Sequence, residues 1–135
     1  MLLPRVPERI LFVDDDAVML DALRRQFRRH FLVDIAVGGR AGLEVLQHEG
    51  PSAAVVSDQQ MPGMNGTQFL SEVRRLAPAT MRILLTGQSD LQSAIQAVDQ
   101  GEIFRFRTKP CPRTALQSTL EAAIEQLLAD DRTNR

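Results

Sequence analysis

The chain is short of four things, and each shortage excludes something. It has a single cysteine, Cys111, so no internal disulfide can form and a reducing compartment suits it. It has almost no net charge: 16 basic against 17 acidic side chains leave −1, which argues against a broad nucleic-acid footprint. It has no apolar stretch near the roughly 18 residues needed to span a bilayer. The apolar part of Met1-Leu2-Leu3-Pro4-Arg5 is also too short for a signal peptide. The expectation is a soluble cytoplasmic protein that binds neither membrane nor nucleic acid directly. The fourth shortage is lysine: only Lys109 is not an arginine among the 16 basic residues. Codon bias explains the arginines but leaves the position of the one lysine unexplained.

What is present suits one compact domain. The 135 residues, 44% of them apolar, make a single core and leave little room for a second. Residues 1–7, with two prolines, read as a flexible leader, and 8–128 as the domain. Residues 129–135 read as a frayed tail or the start of a linker, because everything from Asp130 on is polar.

Within the domain, short apolar runs alternate with helical patterns. Ile10 to Val13 is unbroken apolar and ends in Asp14-Asp15-Asp16. Leu20, Leu23 and Phe27 then share one helix face. Leu32 to Val37 reads as a strand with a polar break at Asp34, and a short helix with Leu43, Val45 and Leu46 follows, stopped by Gly50-Pro51. Ala53 to Val56 is a second buried run and leads to Asp58. Met61 to Gly66 is rich in turn residues, and Asn65 can cap the helix carrying Phe69, Leu70 and Val73. Ile83-Leu84-Leu85 ends in Thr86-Gly87, and Leu91, Ile95 and Val98 mark a fourth helix stopped by Gly101. Ile103 to Thr108 alternates apolar residues with Arg105 and Arg107 before Lys109-Pro110. Pro112 suits a helix start, and Leu116, Leu120, Ile124 and Leu127 stripe the last helix.

Five strands alternating with five helices make an α/β parallel sheet. The continuously apolar strands 1, 3 and 4 suit central places covered on both faces, while the polar breaks in strands 2 and 5 suit edges. With right-handed crossovers this gives the doubly wound, flavodoxin-like order 2-1-3-4-5, whose ligands sit beyond the carboxyl ends of the strands. Asp14, Asp15 and Asp16, Asp58, Thr86 and Lys109 all fall there. Carboxylates gathered on one rim repel one another, and a hard divalent cation such as Mg²⁺ relieves that repulsion. A metal, a hydroxyl and an ammonium around a carboxylate make a phosphoryl-transfer site.

The segments Ile10 to Asp16, Val56-Ser57-Asp58 with Met61 to Gly66, Leu84 to Gly87, and Phe106 to Pro110 together resemble the receiver (CheY-like) domain of two-component response regulators. The resemblance covers roughly residues 8–128. It implies that Asp58 accepts a phosphoryl group from a phosphohistidine on a sensor histidine kinase. It implies Mg²⁺ held by Asp15 directly, by Asp14 through water or in support, by Asp58, and by the backbone carbonyl of Gln60. Lys109 would pair with Asp58 and then with the phosphoryl oxygens, where a compact ammonium fits. Thr86 would bond the phosphoryl group and let Phe106 turn inward, switching the surface of the fourth helix, fifth strand and fifth helix. The Lys109-Pro110 bond would be cis. Output would come from a partner or a domain outside this chain, and a homodimer through the switching surface is one form it allows.

Some positions depart from the pattern. Phe106 lacks the usual tyrosine's hydroxyl, Arg107 replaces a commoner apolar residue, and Asn65 replaces a commoner aspartate. The run Ile103 to Cys111 is most similar to receivers fused to HD-type cyclic-di-GMP phosphodiesterases. Two rival readings belong to other classes. Asp14-Asp15-Asp16-Ala17-Val18 also fits the nucleophile motif of haloacid dehalogenase-like phosphatases, with Thr86, Lys109 and Asp130-Asp131 as the later motifs. That reading gives Asp58 and its loop no role. A pseudo-receiver acting by contact alone would be marked by loss of Asp58, Lys109 or the acidic pair, and all are present.

Overall fold

The structure is a computed structural model that describes residues 8–133, with side chains for 8–131. The expected leader, residues 1–7, lies outside the described residues. In chain order the elements are β1 (Arg9–Asp14), α1 (Ala17–Phe27), β2 (Leu32–Val37), α2 (Gly39–Glu49), β3 (Ala54–Asp58), α3 (Gly66–Leu76), β4 (Met81–Thr86), a single 3₁₀ turn (Gln88–Asp90), α4 (Leu91–Asp99), β5 (Arg105–Thr108) and α5 (Arg113–Thr133). The strands form one parallel sheet in the order β2-β1-β3-β4-β5, as the apolar and interrupted runs predict.

Alternate residues of each strand point to opposite faces, so the sheet builds two cores. On one face Ile10, Phe12, Ala54, Val56, Ile83 and Leu85 pack against α1 (Leu20, Leu23, Phe27) and α5 (Leu116, Leu120, Ala123, Ile124). On the other, Leu11, Val13, Val55 and Leu84 pack against α2 (Leu46), α3 (Phe69, Leu70, Val73) and α4 (Ala94, Ala97). Each fully buried aliphatic or aromatic side chain contributes about 1.5–3 kcal/mol, which makes these two layers the bulk of the driving force.

Helix starts follow local side-chain chemistry. Asp16 caps α1, its carboxylate accepting the Val18 and Met19 N–H groups at 3.0 and 3.3 Å. Asn65 caps α3 in a reciprocal box with Gln68, both bonds at 2.9 Å. Gly50, at φ 85°, ends α2 in the left-handed region open to glycine.

Two expectations need correction. The fully buried residues of α4 are Ala94 and Ala97; of the stripe Leu91, Ile95, Val98, Val98 packs on the core partly buried, while Ile95 is 40% exposed. Only small residues let α4 approach the sheet closely, and a hydrophobic pattern counts them weakly. The fifth strand is shorter than Ile103–Thr108: Ile103 is buried ahead of it, while the Phe104 N–H still reaches the Arg82 carbonyl at 2.7 Å. Helix α5 continues to Thr133. Its exposed turns need no apolar face, and Gln126 bonds Asp130 at 2.8 Å one turn on.

At the foot of the sheet Arg82 does what no pattern announces. Its Nε donates to the Glu102 carbonyl at 2.7 Å, and its two terminal nitrogens donate to the carbonyls of Pro78, Thr80 and Gly101 at 3.2, 3.0 and 3.5 Å. The fork thereby ties the loop before β4 to the loop before β5.

Candidate functional site

Parallel strands end on one rim, and the chemistry-bearing residues are there because they are the last residues of their strands. Asp14 ends β1, Asp58 ends β3, Thr86 ends β4, and Lys109 follows β5 directly. β1 and β3 are neighbours whose crossovers run to opposite sides of the sheet, which opens a crevice between their ends. Asp14, Asp58 and Thr86 are buried, and Asp15 is exposed at the mouth.

Lys109 Nζ lies 2.7 Å from Asp58 Oδ1 and 3.9 Å from Asp14 Oδ2. Its backbone N–H donates to the Thr86 carbonyl at 2.9 Å, and the Lys109-Pro110 bond is cis. One carboxylate oxygen each from Asp14, Asp15 and Asp58 lies within 4.8 Å of the others. Asp16, by contrast, is committed to the α1 cap and only its N–H enters the cluster, donating to Asp14 Oδ1 at 3.0 Å. The sequence therefore brings together Asp14, Asp15, Asp58, Thr86 and Lys109.

Electrostatics sharpen the picture. The Asp14 carboxyl is pushed up from 3.8 to about 6, first by burial and further by Asp58 and Asp15, while the Asp16 N–H and Lys109 pull it back. Three carboxylates face one ammonium, so negative charge is in excess. All the donors are hard oxygens at a separation a small ion can bridge, and this set fits a divalent cation such as Mg²⁺.

The loop after β3 is braced by residues the sequence reading overlooked. Buried Gln59 accepts the Thr67 N–H on its side chain at 2.9 Å and the Gly66 N–H on its carbonyl at 3.0 Å. Gly66 allows that closeness: a Cβ there would lie 2.5 Å from the Asp58 carbonyl oxygen and 2.8 Å from Gln59 Cα. The Ser57 hydroxyl donates to the same Asp58 carbonyl at 3.0 Å. Gln60 is exposed, and its side-chain amide donates to Asp90 in the 3₁₀ turn. No sequence signal pairs residues so far apart.

Two further positions concern coupling. The Thr86 hydroxyl donates weakly to its neighbour's carbonyl, Gly87, at 3.3 Å. Phe106 is half-buried and packs on the α4 side of the sheet, whereas Phe104 packs on the α1/α5 side. Arg107, in a place where apolar residues are commoner, donates from Nε to the buried Thr119 hydroxyl on α5 at 2.7 Å. Asp130 and Asp131, the late acidic pair of the phosphatase reading, line a cavity with Pro78, Arg82 and Phe104 at the opposite end of the strands. They are remote from Asp14.

The chain is similar to known proteins over most of its length. The response regulator receiver domain model matches residues 10–121. GlrR, a transcriptional regulatory protein of Escherichia coli K12, is 36% identical over 121 residues, which is 89% of this chain and 27% of that protein. HoxA, the hydrogenase transcriptional regulatory protein of Cupriavidus necator, is 34% identical over 86% of this chain and 24% of its own length. The chain thus spans about a quarter of the length of these two regulators. Among solved structures, one described as an adenylate cyclase from Rhodopirellula baltica superposes with a TM-score of 0.91 at 34% identity over 96% of both chains. The signal receiver domain of an HD domain-containing protein from Pseudomonas fluorescens Pf-5 does so at 0.82 and 30%, over 92% of this chain and 99% of that one. The match to an HD-linked receiver agrees with the likeness seen in residues 103–111. A sheet in the order 2-1-3-4-5, an acidic crevice with one lysine at its strand ends, and a family model over most of its length make this chain a member of the response regulator receiver domain family.

Proposed function

We propose that Asp58 is the phosphoryl acceptor of this receiver and that a phosphohistidine on a sensor histidine kinase is its donor. One observation carries the reading: Lys109 Nζ sits 2.7 Å from Asp58 Oδ1 in a crevice that also holds Asp14 and Asp15. In the transfer, an Asp58 carboxylate oxygen forms a bond to phosphorus. The phosphorus–nitrogen bond breaks, and its electron pair returns to the imidazole ring. Lys109 holds Asp58 in place beforehand and then neutralises a phosphoryl oxygen, without needing the wide fork of an arginine.

Asp15 would hold Mg²⁺ directly and Asp14 through water or in support, with Asp58 and the Gln60 carbonyl completing the protein ligands. Bound there, Mg²⁺ would supply charge neutralisation for the three carboxylates and the incoming phosphoryl oxygens. The Thr86 hydroxyl, now on a long bond to Gly87, would turn to a phosphoryl oxygen. Phe106 would then rotate inward on the α4 side and change the α4/β5/α5 surface. Homodimerisation through that surface, or contact with an output domain or protein outside this chain, would carry the signal onward from a cytoplasmic location. The chain would act as a phosphorylated switch and not as an enzyme with turnover on a substrate, beyond its own phosphoryl transfer and hydrolysis.

Incubation with acetyl phosphate and Mg²⁺ should place one phosphoryl group per chain, located at Asp58 by peptide mass spectrometry and lost in Asp58→Asn. No phosphoryl group at Asp58 from any donor would overturn the reading. So would repeated phosphate release that Asp14→Asn abolishes and Asp58→Asn leaves intact, which is the behaviour of a phosphatase.

A further inference from the structure

The three amides that open α3 all find acceptors, and two of them find the same residue. The Gly66 N–H donates to the Gln59 carbonyl at 3.0 Å, and the Thr67 N–H donates to Gln59 Oε1 at 2.9 Å. The Gln68 N–H goes to Asn65 Oδ1 at 2.9 Å. The Gln59 N–H in turn donates to the Leu85 carbonyl on β4 at 2.9 Å. Gln59 is 5% exposed, so its side-chain oxygen meets Thr67 away from bulk water, where a hydrogen bond holds its partners firmly. It therefore clamps together both ends of the loop that runs from Asp58 to α3 and fastens them to the sheet. Inside that loop Gln60 stands between Gln59 and Met61, and Met61 is buried in the α2, α3 and α4 layer. No described N–H donates to the Gln60 carbonyl. A backbone oxygen anchored on both sides, yet left without a donor, is a preorganised ligand.

Building on the reading of the Gln60 carbonyl, with Asp14, Asp15 and Asp58, as the metal ligands, we propose that Gln59 is a positioning residue that sets the preference of this crevice for Mg²⁺ over Ca²⁺. Mg²⁺ demands near-ideal octahedral placement of its oxygen ligands, whereas the larger Ca²⁺ accepts looser and more variable arrangements. A side-chain carboxylate can rotate to suit either ion. A main-chain carbonyl moves only with its loop, so it is the ligand whose placement discriminates. The Gln59 side chain acts by holding that loop. Without its oxygen, the Thr67 N–H loses its acceptor and the loop is closed by the Gly66-to-Gln59 backbone bond alone. The Gln60 carbonyl then samples a range of positions, which costs the demanding ion more than the tolerant one.

Titration of the metal-free protein with MgCl₂ and, separately, with CaCl₂ tests it, followed through the backbone amide NMR shifts of Asp15 and Gln60 with no phosphoryl donor present. Gln59→Met, which keeps the length but not the acceptor, should weaken Mg²⁺ binding about tenfold and Ca²⁺ binding only about twofold. Gln59→Asn, too short to reach Thr67, should do the same and covers the case of a methionine variant that does not fold. Gln59→Glu restores an acceptor. Its added charge strengthens both ions alike, so the ratio of the two constants should return to that of the unmodified chain. The proposal is overturned if Gln59→Met and Gln59→Asn bind Mg²⁺ as tightly as the unmodified chain. It also falls if both ions weaken by the same factor, as mere loosening of the fold would give, or if Gln59→Glu leaves the ratio low. An unmodified chain whose amides do not respond to Mg²⁺ overturns the metal reading and this one together. Labelling of Asp58 by acetyl phosphate is scored separately: a chain that shows the expected ratios but takes no phosphoryl group loses the acceptor reading and keeps this one.

Discussion

The two ends of the sheet each hold a part-buried cation, and they use it in opposite ways. At the foot, Arg82 donates to four carbonyl oxygens. Burial lowers the pKa of its guanidinium, yet its donors are distributed among fixed backbone acceptors. At the rim, Lys109 has two carboxylates within 4 Å and a third close by, so its single charge is outnumbered. One end pairs its cation with backbone carbonyls, and the other leaves carboxylate charge in excess. A structure spends its hydrogen-bond satisfaction where nothing needs to change and leaves charge uncompensated where a ligand is to arrive.

The contrast can be broken from either side. The largest effect is expected at the rim: Lys109→Ala should slow uptake of the phosphoryl group from acetyl phosphate about 100-fold, read as labelled protein against time. Lys109→Arg should fold with unchanged circular dichroism yet still respond poorly, because the fork does not fit the place of the ammonium. At the foot, Arg82→Met should cost about 2 kcal/mol in urea unfolding, by leaving carbonyls without donors, while labelling proceeds at the ordinary rate. An equal loss of labelling in Arg82→Met would erase the division between the two ends.

Gly66→Ala lies between the two classes. A methyl group 2.5 Å from the Asp58 carbonyl forces the acceptor loop to move, so about 1–3 kcal/mol of stability and some labelling rate should be lost together. The smallest effect has the opposite sign. Asp14 has its pKa raised from 3.8 to about 6 by burial first, so the fold favours the protonated form. Its contribution to metal-free stability is full below about pH 4 and is lost as the pH rises through 6. Asp14→Asn should therefore stabilise the metal-free protein by about 1–2 kcal/mol at pH 7 and by almost nothing at pH 4, measured by thermal unfolding in chelator. Added Mg²⁺ should stabilise the unmodified protein more than this variant.

Much of this was legible in the sequence, because the features that carry it are local. Apolar runs ending in aspartate, threonine or lysine declare both the strands and the rim, and the degree of apolar continuity separates central strands from edges. Asn65 announces its own cap. What could not be read depends on partners far along the chain or on side chains too small to register. Ala94 and Ala97 bury the face of α4 while Ile95 stays exposed. Gly66 looks like a turn residue until the Asp58 carbonyl is seen beside it. Asp90 lies in the turn after β4, and only the fold reveals that the Gln60 amide, 30 residues earlier, reaches it.

The sheet also acts as a partition. Its two packing layers share no strand residue, since each strand position commits its side chain to one face alone. Substitutions that compensate one another in volume must therefore arise on the same side of the wall, and the two halves can drift as separate lineages of packing. A chimera that takes α1 and α5 from a relative, together with the strand residues facing them, should retain the α2, α3 and α4 layer unaltered. The fold in this sense is two mutational neighbourhoods, and Asp14, Asp58 and Lys109 at the rim belong to neither.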